Sequence, residues 1–278
     1  MKSIKLALVA SGVMFALSGC INTELSDIAN STSQLNTPNT QATIVSELSS
    51  EQQLDVLVAQ YYDESLTFKP INATYSGRSE FNDTFTPIIS KQNREKKAAF
   101  YKKYQQRLRY IDKAQLAGQA FLSYEILNRD LALNLEGMQF PSYMLPINQM
   151  AGSHNTFAGF GSGQSAQPFN TVEDYNNFIK RSEGFVQWLA SVQSSMEQGI
   201  NEGITLPKPL AKKLQPQFAA HVVQSAEDSL FWGPIKNLPA SFSADQKQQI
   251  TAKYRTLIME LLVPAYKSMS DFLANKYI

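Results

Sequence analysis

Apolar residues recur at three- and four-residue steps along most of the chain from Ser50 onward. This is the period of one face of an α-helix, and it returns in about six long stretches. No stretch shows a convincing alternation of apolar and polar residues, the pattern of a half-buried strand. The sequence therefore predicts an all-α fold of about six long amphipathic helices. No internal repeat has the period of a solenoid.

Capping residues and breakers predict where these helices begin and end. Pro70 is expected to end the first helix, Gly203 to break the longest one, and Pro264 to kink the last one near Glu260. The pairs that predict helix starts, each a polar residue with a side-chain partner three positions on, are Ser50 with Gln53, Thr171 with Asp174, and Ser243 with Gln246.

One predicted helix, from about Leu116 to Leu135, has a wider apolar band than the others. A band of that width suits a helix buried on more than one side. Its apolar members are Phe121, Leu122, Ile126, Leu131 and Leu135.

The middle of the chain, residues 137–170, has no helical period. It is rich in glycine, proline and aromatic residues, and it predicts a long irregular loop. A loop of this length within a compact domain is usually functional or mobile.

The first twenty residues have the features of an export signal. Lys2 and Lys5 are followed by an apolar stretch that ends in Leu17-Ser18-Gly19-Cys20. This arrangement resembles the lipobox of bacterial lipoproteins, in which the cysteine becomes the lipid-bearing N-terminus; the alternative is an ordinary secretory signal. We expect a signal peptide over residues 1–19, a flexible tether over 20–48 and a helical domain over 49–278. Ile21, rather than aspartate, favours the outer membrane, with the domain facing the periplasm.

Charge and cysteine content exclude several classes of partner. Without the leader, which holds two of the 25 Lys and Arg residues and none of the 24 Asp and Glu residues, the chain has 23 − 24 = −1 net charge. This balance gives no electrostatic case for binding nucleic acid or an anionic membrane. Lipidation of Cys20, the only cysteine, would leave no thiol for disulfides or metal binding. The oligomeric state is not predicted.

The side chains needed for common hydrolytic sites are few. His154 and His221 are the only histidines, neither has a partner three or four residues away, and no His-Glu-x-x-His motif occurs. The sequence therefore lacks the ligands of a helical zinc-hydrolase site. Ser162 lies in a glycine-rich run that is not Gly-x-Ser-x-Gly, which favours a flexible loop over a nucleophile. We predict no catalytic and no metal-binding residue.

Several sequence segments together resemble those of the domain of unknown function 885 family. They are PINATYSG (70–77), LPINQMAG (145–152), TVEDY (171–175), GINEGITLPK (199–208) and LVPAY with DFL (262–266 and 271–273). In their order and spacing these segments extend over nearly all of the chain from residue 51 to the end, although no single segment is diagnostic.

The resemblance implies a helical, gluzincin-like metallopeptidase in which zinc is held by a histidine motif in the C-terminal half. Members are considerably longer than this chain, which contains no such motif. We therefore expect the N-terminal half of such a protein, inactive by itself and without a cofactor of its own; whether the chain is truncated or complete stays open. The alternative is a non-enzymatic periplasmic lipoprotein that binds a peptide or another protein through the 137–170 loop.

Position within the resembling segments suggests residues that line a substrate cleft. The candidates are Asn148, Gln149 and His154 in the loop and Arg181 on the longest helix. The alternatives are loop amides that satisfy turns, a solvent-facing histidine and an arginine in a surface ion pair. If the domain is half of a larger core, we also expect exposed apolar surface on its last two helices.

Overall fold

The computed structural model describes residues 48–150 and 152–278, and every regular element in these ranges is a helix. The all-α prediction is confirmed. The predicted signal peptide, Cys20 and the predicted tether as far as residue 47 lie outside the described residues. No helix of the described part combines the length and the apolar character needed to cross a bilayer.

The helices vary widely in length. In chain order they are α1 (Ser50–Ser65), α2 (Pro70–Tyr75), α3 (Lys91–Leu108), α4 (Gly118–Gly137), α5 (Ser153–Gly161), α6 (Val172–Glu202), α7 (Lys208–Ala219), α8 (Gly233–Lys236), α9 (Ala244–Thr256) and α10 (Val263–Phe272). Two π-helical segments, Leu257–Leu262 and Leu273–Tyr277, follow α9 and α10.

Two of the three predicted capping boxes are confirmed. Thr171 with Asp174 caps α6, and Ser243 with Gln246 caps α9. Gly203 ends α6 in the left-handed conformation, with φ of 73°. The first box was predicted one position too late, because Ser49 and Gln52 cap α1.

Two helices, α2 and α5, lie where the sequence did not predict them. Pro70 does not end α1 but begins α2, where the first turn needs no N–H donor from the proline. The 137–170 segment contains α5, whose Phe157 and Phe160 are completely buried. Burial of these aromatic side chains stabilises a helix that has too few residues to show a period.

The apolar side chains form two clusters. The smaller cluster joins α1, α3 and α4 and is centred on Tyr61, Phe100 and Tyr104. The larger cluster surrounds α6, which contributes the fully buried Phe178 and Phe185, and it includes α5, α7, α9 and α10.

Exposed apolar residues do not lie where the sequence suggested. Ile258, Leu262 and Tyr266 of the last helical run are at most 1% exposed, and no large hydrophobic side chain beyond Leu230 is exposed in the described part. The expectation of an apolar surface on the last two helices is therefore wrong. The largest group of exposed apolar side chains on a single described helix lies instead on α4, which buries only one of its faces; that helix was expected to be buried on more than one side.

The predicted kink near Glu260 coincides with the first π-helical segment. Pro264 has no N–H to donate, and its ring would clash with the carbonyl of Glu260 in a regular α-helix. The wider Leu257–Leu262 turn immediately before α10 accommodates the proline within one continuous helical run.

Candidate functional site

His154, the second residue of α5, is buried with only 2% of its surface exposed. Gly152 precedes the helix, and a Cβ at that position would lie 2.4 Å from His154 Nδ1. Glycine is therefore required here because the imidazole folds back over its backbone. The alternative of a solvent-facing loop histidine is not what the structure shows.

Gln217 of α7 links His154 to the loop before α5. Its side-chain Nε2 donates to the backbone carbonyl of Gln149 at 2.8 Å, which orients the amide so that Oε1 faces His154 Nε2 at 3.1 Å. Because an amide oxygen only accepts, His154 Nε2 carries the proton and Nδ1 is left as an acceptor. Burial lowers the pKa of His154, and the Gln217 hydrogen bond opposes this only in part.

Unpaired polar atoms collect around this link. His154 Nδ1 and Gln149 Oε1 are buried and make no hydrogen bond with any described residue, and the same is true of the Tyr266 hydroxyl. His221 lies close by, with its ring centroid 4.5 Å from that of Tyr266. Burial lowers the pKa of His221, and the proximity of His154 lowers it further.

Of the predicted cleft residues, the structure brings Gln149 and His154 together through Gln217. The Asn148 side chain accepts from the Met150 N–H at 2.8 Å, as expected of an amide that satisfies a turn. Sequence reasoning missed Gln217, since a glutamine on a helix has no distinguishing local pattern.

Arg181 lies apart from this group, in a buried network of its own. Its guanidinium donates to the Thr84 carbonyl at 2.9 Å and to the Thr74 hydroxyl at 2.6 Å, and also to Gln167 Oε1 and the Phe81 carbonyl. The side chain is 0% exposed, and burial lowers its pKa to about 10. Neither a cleft position nor a surface ion pair, the two roles considered, describes this arrangement.

An open groove of about 1050 Å³ lies between the segment that follows α5 and the region between α7 and α8. Gln167, which Arg181 holds, is part of one wall, and His221 is part of the other. The lining residues are Ser162–Asn170, Tyr175, Ala220, His221, Asp228–Leu230, Gly233, Pro234, Lys236 and Asn237. Gln217 and Phe218, near the end of α7, contact His154, and Ala220 and His221, just after α7, line the groove. This part of the chain therefore connects the His154 contacts to the groove.

The groove does not have the geometry of a serine-hydrolase site. Ser162 Oγ donates to the Gly159 carbonyl at 2.7 Å and accepts from the Gln164 N–H at 3.2 Å. A nucleophilic serine instead needs a base within hydrogen-bond reach, and neither histidine contacts this hydroxyl.

The side chains of the described part do not fit zinc either. No three His, Cys, Asp or Glu residues within it are grouped closely enough to hold a metal ion. His154 Nε2 is already engaged by Gln217, so this histidine could offer only Nδ1, which the Gly152 backbone crowds.

Comparison with known proteins identifies a family and a similar fold. A family model described as "Bacterial protein of unknown function (DUF885)" matches residues 70–278. The fold is similar to the crystal structure of a protein from Colwellia psychrerythraea that is described as a lipoprotein, with a TM-score of 0.67 and 16% identity. The match covers 81% of this chain but only 41% of the longer one. No curated protein matches.

Proposed function

The chain belongs to the DUF885 family of bacterial proteins of unknown function, and we propose that it is an exported lipoprotein anchored to the outer membrane through Cys20. Two basic residues, an apolar stretch and Leu17-Ser18-Gly19-Cys20 support the anchor. The description of the similar Colwellia psychrerythraea protein as a lipoprotein is in line with it. The helical domain then faces the periplasm.

Lipid attachment can be tested directly in bacterial cells. We expect the chain to incorporate an alkyne-labelled fatty acid and to sediment with outer-membrane fragments. A Cys20→Ser chain should incorporate none and should appear in the periplasmic fraction. Equal labelling of both chains would overturn the anchor at Cys20, whereas labelled protein in inner-membrane fragments would overturn only the choice of membrane.

For the domain itself, we propose that it forms one side of a metallopeptidase-like fold. The domain alone does not hydrolyse peptides. The sequence has two histidines and one cysteine, and both histidine rings pack among aromatic side chains. The chain aligns with less than half of the similar structure. Zinc ligands and a general base would have to come from outside residues 1–278.

The test is a peptidase assay with the purified chain, zinc and a pool of fluorogenic peptides. We expect cleavage no faster than with a His154→Phe chain prepared in parallel, since this histidine is the one best placed to accept a proton. Cleavage that a chelator abolishes and that the substitution removes would show an active site within this chain.

The groove favours a second function, the binding of an extended peptide. Residues 164–170 lie outside any helix and form one wall, and the contact between Arg181 and Gln167 fixes that wall in place. A groove of about 1050 Å³ reaches the upper size range of small-ligand sites.

Peptide binding can be measured by fluorescence anisotropy with a labelled peptide library. Gln164→Trp would place a large side chain at the groove and is expected to weaken binding at least ten-fold. Gln106→Trp, the same substitution on the exposed face of α3, should leave binding unchanged. Equal effects of the two substitutions, or no binding by the parent chain, would contradict this function.

A further inference from the structure

The outward face of α4 carries a stripe of exposed apolar side chains. Leu122, Ile126 and Leu133 are 53%, 55% and 53% exposed. At about 100° per residue, these three positions fall within about 40° of one another around the helix. The buried Leu127 and Leu131 lie on the opposite side, against α1 and α3. The stripe is therefore a second apolar face and not the margin of the first.

Two charged residues complete the stripe. Arg129 and Glu136 continue the alternation of four- and three-residue steps that begins at Leu122, so the five positions follow a period of 3.5 residues. A period of 3.5 is typical of the seam of a left-handed coiled coil. Both residues are exposed, and neither forms an ion pair with another described residue.

We propose that this seam binds a second copy of the chain, with the two α4 helices packed antiparallel about a two-fold axis. The two charges favour a protein over a lipid surface as the occupant, because insertion into lipid would desolvate Arg129 and Glu136 without partners. A second copy supplies a partner for each of them.

The same charges select the antiparallel orientation. A parallel pair would place Arg129 opposite Arg129 and Glu136 opposite Glu136 of the second copy, and like charges in a seam repel. An antiparallel pair centred near residue 131 places Leu133 next to Arg129 of the second copy. The long Arg129 side chain can then reach Glu136 of that copy. The contact is isologous, so the assembly closes at two chains.

The size of the seam indicates a weak association. Three apolar side chains along about four helical turns cover less than the roughly 800 Å² per partner of a standard stable interface. We therefore expect dissociation in dilute solution. The proposed lipid anchor would confine the chains to a surface and raise their effective concentration. Only this enhancement depends on the anchor; the seam itself does not.

Cysteine cross-linking of the full chain in intact cells tests the seam and its orientation together. In an antiparallel pair Leu133→Cys lies near the two-fold axis and should give a dimer with a short thiol-reactive linker. The two Leu122→Cys positions would be more than about 20 Å apart along the helices and should not cross-link. Lys102→Cys, exposed on α3, and the parent chain with only Cys20 are the controls.

A charge exchange tests the pairing within the same Leu133→Cys chain. Arg129→Glu alone and Glu136→Arg alone should each reduce the dimer several-fold, and the double exchange should restore it. These surface changes are not expected to alter the thermal unfolding temperature, which serves as the check on folding.

Three results would overturn the proposal. One is a dimer yield from Leu133→Cys no higher than from Lys102→Cys. Another is equal cross-linking through Leu122→Cys, which would indicate parallel helices. The third is protection of Leu133→Cys from a water-soluble maleimide in cells that yield no cross-linked dimer, which would indicate a lipid or another protein on this face.

Discussion

The imidazole of His154 lies almost parallel to the ring of Phe218, with the ring centroids 4.8 Å apart and the planes inclined by 18°. This contact joins α5, in the middle segment of the chain, to α7. Burial at this contact lowers the pKa of His154 and favours the neutral imidazole, and the hydrogen bond to Gln217 opposes this only in part. Four predictions concern the buried histidines, two glycines near His154, Arg181 and two buried tyrosines.

Acidification should destabilise the domain before its carboxylates titrate. Burial lowers the pKa of His154 and His221 in the folded state, so below the unfolded-state pKa of about 6.5 the unfolded chain binds more protons. The free energy of unfolding should fall with decreasing pH by up to about 1.4 kcal/mol per pH unit for each histidine. His154→Phe should roughly halve the slope. Urea unfolding at several pH values between 7 and 5 measures it, and an unchanged slope in the variant would contradict the assignment.

Two glycines of the α5 region should respond oppositely to alanine. Gly152→Ala would place a Cβ 2.4 Å from His154 Nδ1 and should destabilise the domain by about 1–3 kcal/mol. Gly159→Ala, within α5 and with no atom within 4 Å of the new Cβ, should stabilise it by about 0.5–1 kcal/mol. Chemical denaturation of both variants provides the comparison. A neutral Gly152→Ala would mean that the imidazole can move aside.

Arg181 and its neighbour Lys180 should differ sharply in importance. Arg181→Met would leave two buried acceptors, the Thr84 carbonyl and Gln167 Oε1, without their donor and would remove the bond to Thr74, so it should cost at least about 3 kcal/mol of stability. Lys180→Met removes only a surface ion pair with Asp83 and should unfold almost as the parent does. Thermal unfolding distinguishes the two. Because Arg181 holds Gln167 at the groove, Arg181→Lys should also weaken peptide binding.

Two buried tyrosines provide a matched test of unpaired hydroxyls. Tyr175 donates to the Pro234 carbonyl at 3.0 Å, so Tyr175→Phe should cost about 1 kcal/mol. The Tyr266 hydroxyl has no partner among the described residues, so Tyr266→Phe should be neutral or slightly stabilising. Denaturant midpoints at constant slope measure both changes. A clear loss in Tyr266→Phe would show that this hydroxyl has a hydrogen-bond partner in solution.

Local chemistry made part of this fold predictable. The boxes at Thr171 and Ser243 and the left-handed Gly203 depend on residues within one turn of each other, so the sequence contains all that is needed to place them. The prediction that Pro70 ends a helix was wrong for a related reason. A proline ends one helix and begins another with equal ease, and the local sequence does not distinguish the two cases.

The candidate site was less predictable because its contacts join distant segments. His154 meets Gln217 across 63 residues, and Arg181 meets Thr74 across 107. For α4 the sequence indicated a wide apolar band, but it could not show that only part of this band is buried within the described chain. That depends on which neighbours the tertiary fold supplies.

The π-helical turn at Leu257–Leu262 also has an evolutionary consequence. Tyr254 and Tyr266 are twelve residues apart, which in a regular α-helix would turn them about 120° from each other. Yet both are at most 1% exposed and belong to the same core. The wide turn accommodates one extra residue between the two tyrosines, as would result from a tolerated single-residue insertion. Relatives that lack this turn should align with a one-residue gap here, and deletion of one residue from this turn should keep both tyrosines inside.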